Sequence, residues 1–274
     1  MREQIYTLPS IIDDGRCDSY LELLDEVRVN SRDVILNFEK VAKITAPGWA
    51  ILNCISDSVF EHRRDIETRN IFLKKDLKKH IEKILGPRKK QIISMNEMSF
   101  EDDENLISGA VCAIAPSFVE KIDQKYFQLL SEEKKWYVRL MLNELMQNSV
   151  DHSTSERYFF YAGINDGDFL FGVCDMGVSI PAKLEQKYAY ENDQAYLLKS
   201  LELGIGTRRV RSGGLGLNHM FEILKKQKGR LVIISRNAQL RKYFARRKTQ
   251  TSKLKHALRG TWCMAQIPIE GGLK

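Results

Sequence analysis

Long apolar runs are missing from this chain. No stretch approaches the roughly 20 residues a membrane-spanning helix needs, so a transmembrane helix is excluded. The N-terminal segment is charged rather than apolar and is not expected to act as a secretory leader. Cysteine is sparse and odd in number: Cys17, Cys54, Cys112, Cys174 and Cys263 form neither a CxxC pair nor metal-ligand spacing. That pattern excludes a disulfide framework or a cysteine zinc site and predicts reduced, mostly buried thiols in a cytoplasmic protein. No internal repeat or low-complexity tract is present, and no zinc finger or RNP motif accompanies the basic residues.

What is present suffices for one large domain or two ordinary ones. The chain has 274 residues, 43% of them hydrophobic, with 43 Lys and Arg against 36 Asp and Glu. The net charge of +7 permits contact with nucleic acid or an acidic partner without indicating either. Two segments concentrate the cations, Arg63 to Lys90 and Arg241 to Lys255; they read as a solvated helix face and an exposed hairpin loop. Residues 94–105 are polar and acidic and form the best boundary, giving units 1–95 and 105–274.

In the first unit, Asp33 to Phe38 reads as a buried strand, followed by a short turn and an apolar helix through Trp49, Ile51 and Leu52, the pattern of a small α/β domain. This stretch resembles the STAS domains of anti-sigma-factor antagonists. The resemblance implies a protein partner bound through this region. The family's acceptor serine is expected near Thr45, Ala46 and Pro47, where no serine stands, so the expectation is a surface that works without phosphorylation.

In the second unit, residues 132–150 read as one long helix. Leu142, Leu145, Met146 and Ser149 recur on one side, while Glu144 and Asn148, four apart, share another. An amide oxygen can ligate Mg²⁺ and a carboxylate can accept a proton from an attacking hydroxyl. Tyr158 to Ile164 and Phe169 to Cys174 read as strands joined by Asn165-Asp166-Gly167-Asp168, a hairpin turn. At the strand end Asp175 precedes Gly177, a pairing suited to a purine amino group. Helices are expected over 193–203 and 215–226, and Gly213, Gly214 and Gly216 open the second, where bare backbone N–H groups meet the positive helix end. Strands 230–235 and 262–267 complete the sheet.

Taken in order, these motifs resemble the histidine-kinase-like (GHKL, Bergerat-fold) ATPases, whose members include gyrase, MutL proteins, sensor histidine kinases and anti-sigma serine kinases. Glu144, Asn148 and His152 match the helix motif, Asp175 and Gly177 the adenine loop, Gly213, Gly214 and Gly216 the phosphate loop, and Gly260-Thr261 the last adenine-site strand. The resemblance implies an α/β chain with an α+β two-layer sandwich over 105–274 that binds ATP and Mg²⁺. In it Glu144 is the catalytic base, Asn148 holds the metal, and Asp175, Gly177 and Thr261 hold adenine. Thr207, Gly213, Gly214, Leu215, Gly216 and Leu217 line the phosphates. Arg208, Arg209 and Arg211 are further phosphate-binding candidates, and the connection 181–212 is the expected lid. The family carries a second glycine where this chain has Ser179.

Three functions stay open: an ATPase whose nucleotide state controls a protein interaction, a serine/threonine kinase acting on a STAS partner, or a non-catalytic nucleotide-dependent module. A homodimer is compatible with each. An autophosphorylating histidine fits poorly, because His62 lacks the acidic neighbour and downstream proline of such sites and His80 has no supporting motif.

Overall fold

A computed structural model of the chain describes residues 5–29, 33–61, 66–73, 75–85, 98–100, 106–111, 120, 122, 124–152, 158–165, 167–206 and 216–269. The fold is mixed α/β. Its described strands form a three-stranded parallel sheet, a two-stranded parallel pair and a six-stranded antiparallel sheet.

The N-terminal unit runs β1 (Ile5–Thr7), β2 (Ile11–Ile12), α1 (Cys17–Val29), β3 (Val34–Asn37), β4 (Lys43–Ile44), α2 (Ala46–Glu61), β5 (Ile66–Arg69) and α3 (Lys75–Leu85). Strands β1, β3 and β5 lie side by side in parallel. The buried run Val34, Ile35 and Leu36 suits a strand covered on both faces. Thr45 caps α2: its hydroxyl donates to the Ile12 carbonyl at 3.0 Å and accepts from Gly48 N–H at 3.4 Å. Every residue of α2 from Trp49 to Val59 is buried. A helix that is apolar nearly all round must be covered all round, and α2 is covered by the strands Leu106–Val111, Tyr158–Asn165 and Asp168–Asp175 of the large sheet and by α1 and α3.

The remainder runs β6 (Met98–Phe100), β7 (Leu106–Val111), α4 (Glu132–His152), β8 (Tyr158–Asn165), β9 (Asp168–Asp175), α5 (Ile180–Leu184), α6 (Asp193–Lys199), α7 (Gly216–Lys226), β10 (Arg230–Tyr243) and β11 (Lys248–Pro268). The sheet order is β10-β11-β9-β8-β7-β6, antiparallel throughout. Side chains alternate between two cores, as the two-residue period of a strand requires. Phe159, Tyr161, Cys174, Ile234, Trp262 and Met264 join the core shared with α1 and α2. Phe160, Phe171, Val173, Ile233 and Cys263 join the core beneath α4 and α7. Each large apolar side chain so buried contributes roughly 1.5–3 kcal/mol.

Residues 105–274 therefore supply a sheet and one helical layer, while the N-terminal unit supplies a layer on the opposite face. Polar links tie the unit down. Arg230 pairs with Asp14, His256 Nδ1 lies 2.9 Å from Asp25 Oδ2, and Lys43 donates to Asn165 at 2.7 Å.

Two local expectations change. The segment 241–255 is a hairpin as expected, but its loop is only the turn 244–247; the rest is paired strand, held by the buried Leu240, Phe244, Leu254 and Leu258 in and around it. The helix expected over 193–203 stops at Lys199, followed by a C-cap at Ser200 and a left-handed Gly204 (φ +81°). Four of the five cysteines, Cys17, Cys54, Cys174 and Cys263, are free and buried; Cys112 lies outside the described residues. Among the described residues no helix is long and apolar enough to cross a membrane.

Candidate functional site

Helix α4 presents its two predicted side chains as its period demands. Glu144 and Asn148 are half-buried on one side, and Ser149 is buried beside them. Opposite stands the first residue of α7. A Cβ placed on Gly216 would lie 2.4 Å from Glu144 Oε2 and 3.5 Å from Asn148 Nδ2. A Cβ here would displace the Glu144 carboxylate, so glycine lets the α7 N-terminus sit against this pair without moving it. Leu217 packs its side chain against the apolar core beneath α7, leaving only its backbone for a ligand. Asn218 anchors the helix by donating to the Leu201 carbonyl at 2.8 Å.

Ser149 bridges to the second half of the site. Its hydroxyl donates to Asp175 Oδ2 at 3.3 Å. Asp175 Oδ1 accepts from Gly177 N–H at 3.0 Å and from Thr261 N–H at 3.3 Å. Asp175 and Thr261 face each other across the β9–β11 ladder. Gly260 permits this, since a Cβ there would lie 2.1 Å from the Asp175 carbonyl oxygen. Burial pushes the Asp175 carboxyl up to about 7, against the pull of its three donors.

A further hydroxyl holds the far wall. Ser235 Oγ donates to the Gly260 carbonyl at 3.0 Å, lies 2.9 Å from Thr261 Oγ1, and accepts from Ile180 N–H at 2.8 Å. A hydroxyl has one proton. With it directed at Gly260, the Thr261 hydroxyl donates to Ser235 and keeps an acceptor lone pair. Arg236, in the left-handed region at φ +53°, bonds both Glu185 and Asp193 and so clamps the starts of the connection to β10. Ser179 stands where the resembled family has glycine. Its φ of −69° is ordinary for any residue, and its side chain accepts from Ala182 N–H at 3.2 Å to cap α5.

Thus Glu144, Asn148 and Gly216 meet, and through Ser149 they adjoin Asp175, Gly177 and Thr261. Thr207, Gly213, Gly214 and Leu215 lie outside the described residues, as do Arg208, Arg209, Arg211 and the side chain of His152. Sequence reasoning placed Ser149 on the apolar side of its helix without a role; a lone hydroxyl in an apolar stripe was the available signal. Ser235 gave none, since it reads as the polar end of an apolar strand. The chain was compared with protein-family models, curated proteins and solved structures, and none matches.

Proposed function

We propose that the chain is an ATP-binding regulatory protein of the histidine-kinase-like type, which hydrolyses or transfers the γ-phosphoryl group under Mg²⁺ and uses nucleotide state to control a protein contact. The observation that carries this reading is the convergence of Glu144, Asn148 and Gly216 at a helix N-terminus, one hydrogen bond from the buried Asp175.

The donor set fits such a ligand. Mg²⁺ keeps most of its shell as water and phosphate oxygens and needs few protein donors, so the Asn148 carboxamide beside a helix start free of Cβ suits it. The ion, when bound, offsets phosphate charge. Glu144 takes the proton from an attacking water or hydroxyl. Asp175 accepts from the purine amino group in its ionised form, and the free lone pair of Thr261 Oγ1 accepts from the base or a water. The α7 N-terminus attracts phosphate through its first-turn N–H groups, which have no partner within the helix, and the positive end of the helix.

A route to a partner contact is also present. Cys174 and Met176, flanking Asp175, pack in the core shared with the STAS-like unit, so a change at the purine end bears directly on that unit. ADP release by the purified full chain tests the reading. Free phosphate with wild type, and its loss in Glu144→Ala, supports hydrolysis. Phosphate appearing on an added STAS protein supports transfer. Tight ATP binding without either product, unaffected by Glu144→Ala, would leave a binding module and remove the catalytic assignment.

A further inference from the structure

Three strands of the large sheet place one polar residue each in a single row: Asp175 on β9, Thr261 on β11 and Ser235 on β10, each directly paired with the next. Residues directly opposite in an antiparallel ladder point to the same side. Two positions along, the same face carries Val173, Cys263 and Ile233, all buried in the core beneath α4. The row is thus a polar margin on an apolar face. Ser235 is fully buried and Thr261 half-buried, so the row is sealed at the Ser235 end and open at Thr261.

The protons in this row have one consistent placement. Ser235 Oγ has three neighbours: the Ile180 N–H at 2.8 Å, the Gly260 carbonyl at 3.0 Å and the Thr261 hydroxyl at 2.9 Å. The Ile180 N–H takes one lone pair. A carbonyl oxygen only accepts, so the Gly260 contact takes the serine proton. The remaining contact is a hydrogen bond only if Thr261 donates. The reverse assignment would leave the Ser235 and Gly260 oxygens facing each other without a proton, a buried loss that this arrangement avoids.

We infer that Ser235 is a positioning residue that makes the site select a 6-amino purine over a 6-oxo purine, an inference that rests on the nucleotide reading above. Asp175 alone does not discriminate. Its carboxylate accepts equally from the amino group of adenine and from the ring N1–H of a 6-oxo purine. In the second pose the oxo oxygen, carried by the carbon next to N1, needs a donor beside Asp175. Thr261 stands there, held to Asp175 through its own N–H at 3.3 Å. Its hydroxyl proton is committed to Ser235, so it turns only lone pairs to the ligand. A 6-oxo purine therefore keeps an unpaired acceptor, whereas the two amino protons of adenine serve Asp175 and Thr261 or a bridging water. Without Ser235 the Thr261 hydroxyl is free to rotate and donate, and the discrimination goes.

The test compares the affinities of ATP and inosine triphosphate for the full chain, with Mg²⁺ at pH 8, where Asp175 is ionised. The two nucleotides share their phosphates, so the affinity ratio isolates the base, and a loss of folded protein scales both alike. Wild type should favour ATP by about tenfold or more, the effect of one unpaired buried acceptor. Ser235→Ala should lower that ratio by about tenfold. Thr261→Val, which has the same shape and no hydroxyl, should lower it as well, and adding Ser235→Ala to it should change the ratio no further. Thr261→Val also leaves the bonds of Ser235 to Ile180 and Gly260 in place, so it reads the polarity of the row even where loss of Ser235 prevents folding. A ratio unchanged in Ser235→Ala or in Thr261→Val, or an effect of Ser235→Ala that persists beside Thr261→Val, would overturn the role of Ser235 and leave the nucleotide site standing. Failure of wild type to bind ATP at all would remove the nucleotide reading and this inference with it.

Discussion

Replacing Asp175 by asparagine isolates the cost of holding a carboxylate in this position. The group is 5% exposed, and burial raises its titration to about 7 from the ordinary 3.8. Between those values the folded protein keeps a proton that the unfolded chain has released. Stability therefore falls as pH rises from about 4 to about 7, and the full penalty applies above that. Three pH units correspond to about 4 kcal/mol, at 1.36 kcal/mol each. Rather less than half of this is already lost at pH 5, leaving about 2–3 kcal/mol between pH 5 and pH 8. Asparagine has the same shape, keeps Oδ1 for the Gly177 and Thr261 N–H groups, and presents an amide where Ser149 can accept instead of donate. Urea unfolding of both proteins at pH 5 and pH 8 measures the difference. Asp175→Asn should gain about 2–3 kcal/mol on wild type between the two pH values. Parallel behaviour of the two proteins would mean that Asp175 pays no burial penalty, and the description of its surroundings would be wrong.

Other consequences are open to similar checks. If Asp175 holds a purine amino group as proposed, adenosine, which carries no titrating phosphate, should bind about tenfold more weakly at pH 6 than at pH 8, where the carboxylate is ionised; calorimetry at the two pH values reads this. Gly216→Ala pushes aside the Glu144 carboxylate, the far end of a flexible side chain, and should cost less than about 1 kcal/mol of stability while weakening ATP binding, measured by thermal shift with and without nucleotide. Ser235→Ala strips the partner from Ile180 N–H and should cost about 1–3 kcal/mol in urea unfolding. Arg230→Met leaves Asp14 with its charge mostly buried and should cost about 3 kcal/mol, loosening the N-terminal unit first by hydrogen exchange.

The parts of this molecule that were legible in the sequence are those governed by local rules. Helix α4 announced itself by period, and Asn165 to Asp168 by turn chemistry. Both lie close to where the pattern puts them. The pairing of Glu144 with Asn148 followed from a four-residue step. Its meeting with Gly216 did not, since that depends on how α4 and α7 pack, which no local pattern encodes. The two-sided burial of the large sheet had a signal that went unread. Tyr158 to Ile164 and Phe169 to Cys174 are continuously apolar rather than alternating, as strands covered on both faces are. An uncovered face would have shown polar residues at every second position. The paired extent of β10 and β11 was hidden because Arg241 to Lys255 is rich in charge. The three leucines that hold it inward are outnumbered by cations that point to solvent or bond the first helix region, as Arg241 does with the Asp14 carbonyl.

Calorimetric titration of ATP into the full chain, with Mg²⁺ and with chelator, bears most directly on whether these residues form one nucleotide site. Wild type should bind one equivalent, lose at least tenfold in affinity without the metal, and lose measurable binding in Asp175→Asn, its fold checked by the urea unfolding above. Asp175→Asn binding ATP as tightly as wild type, or affinity indifferent to Mg²⁺, would contradict the account.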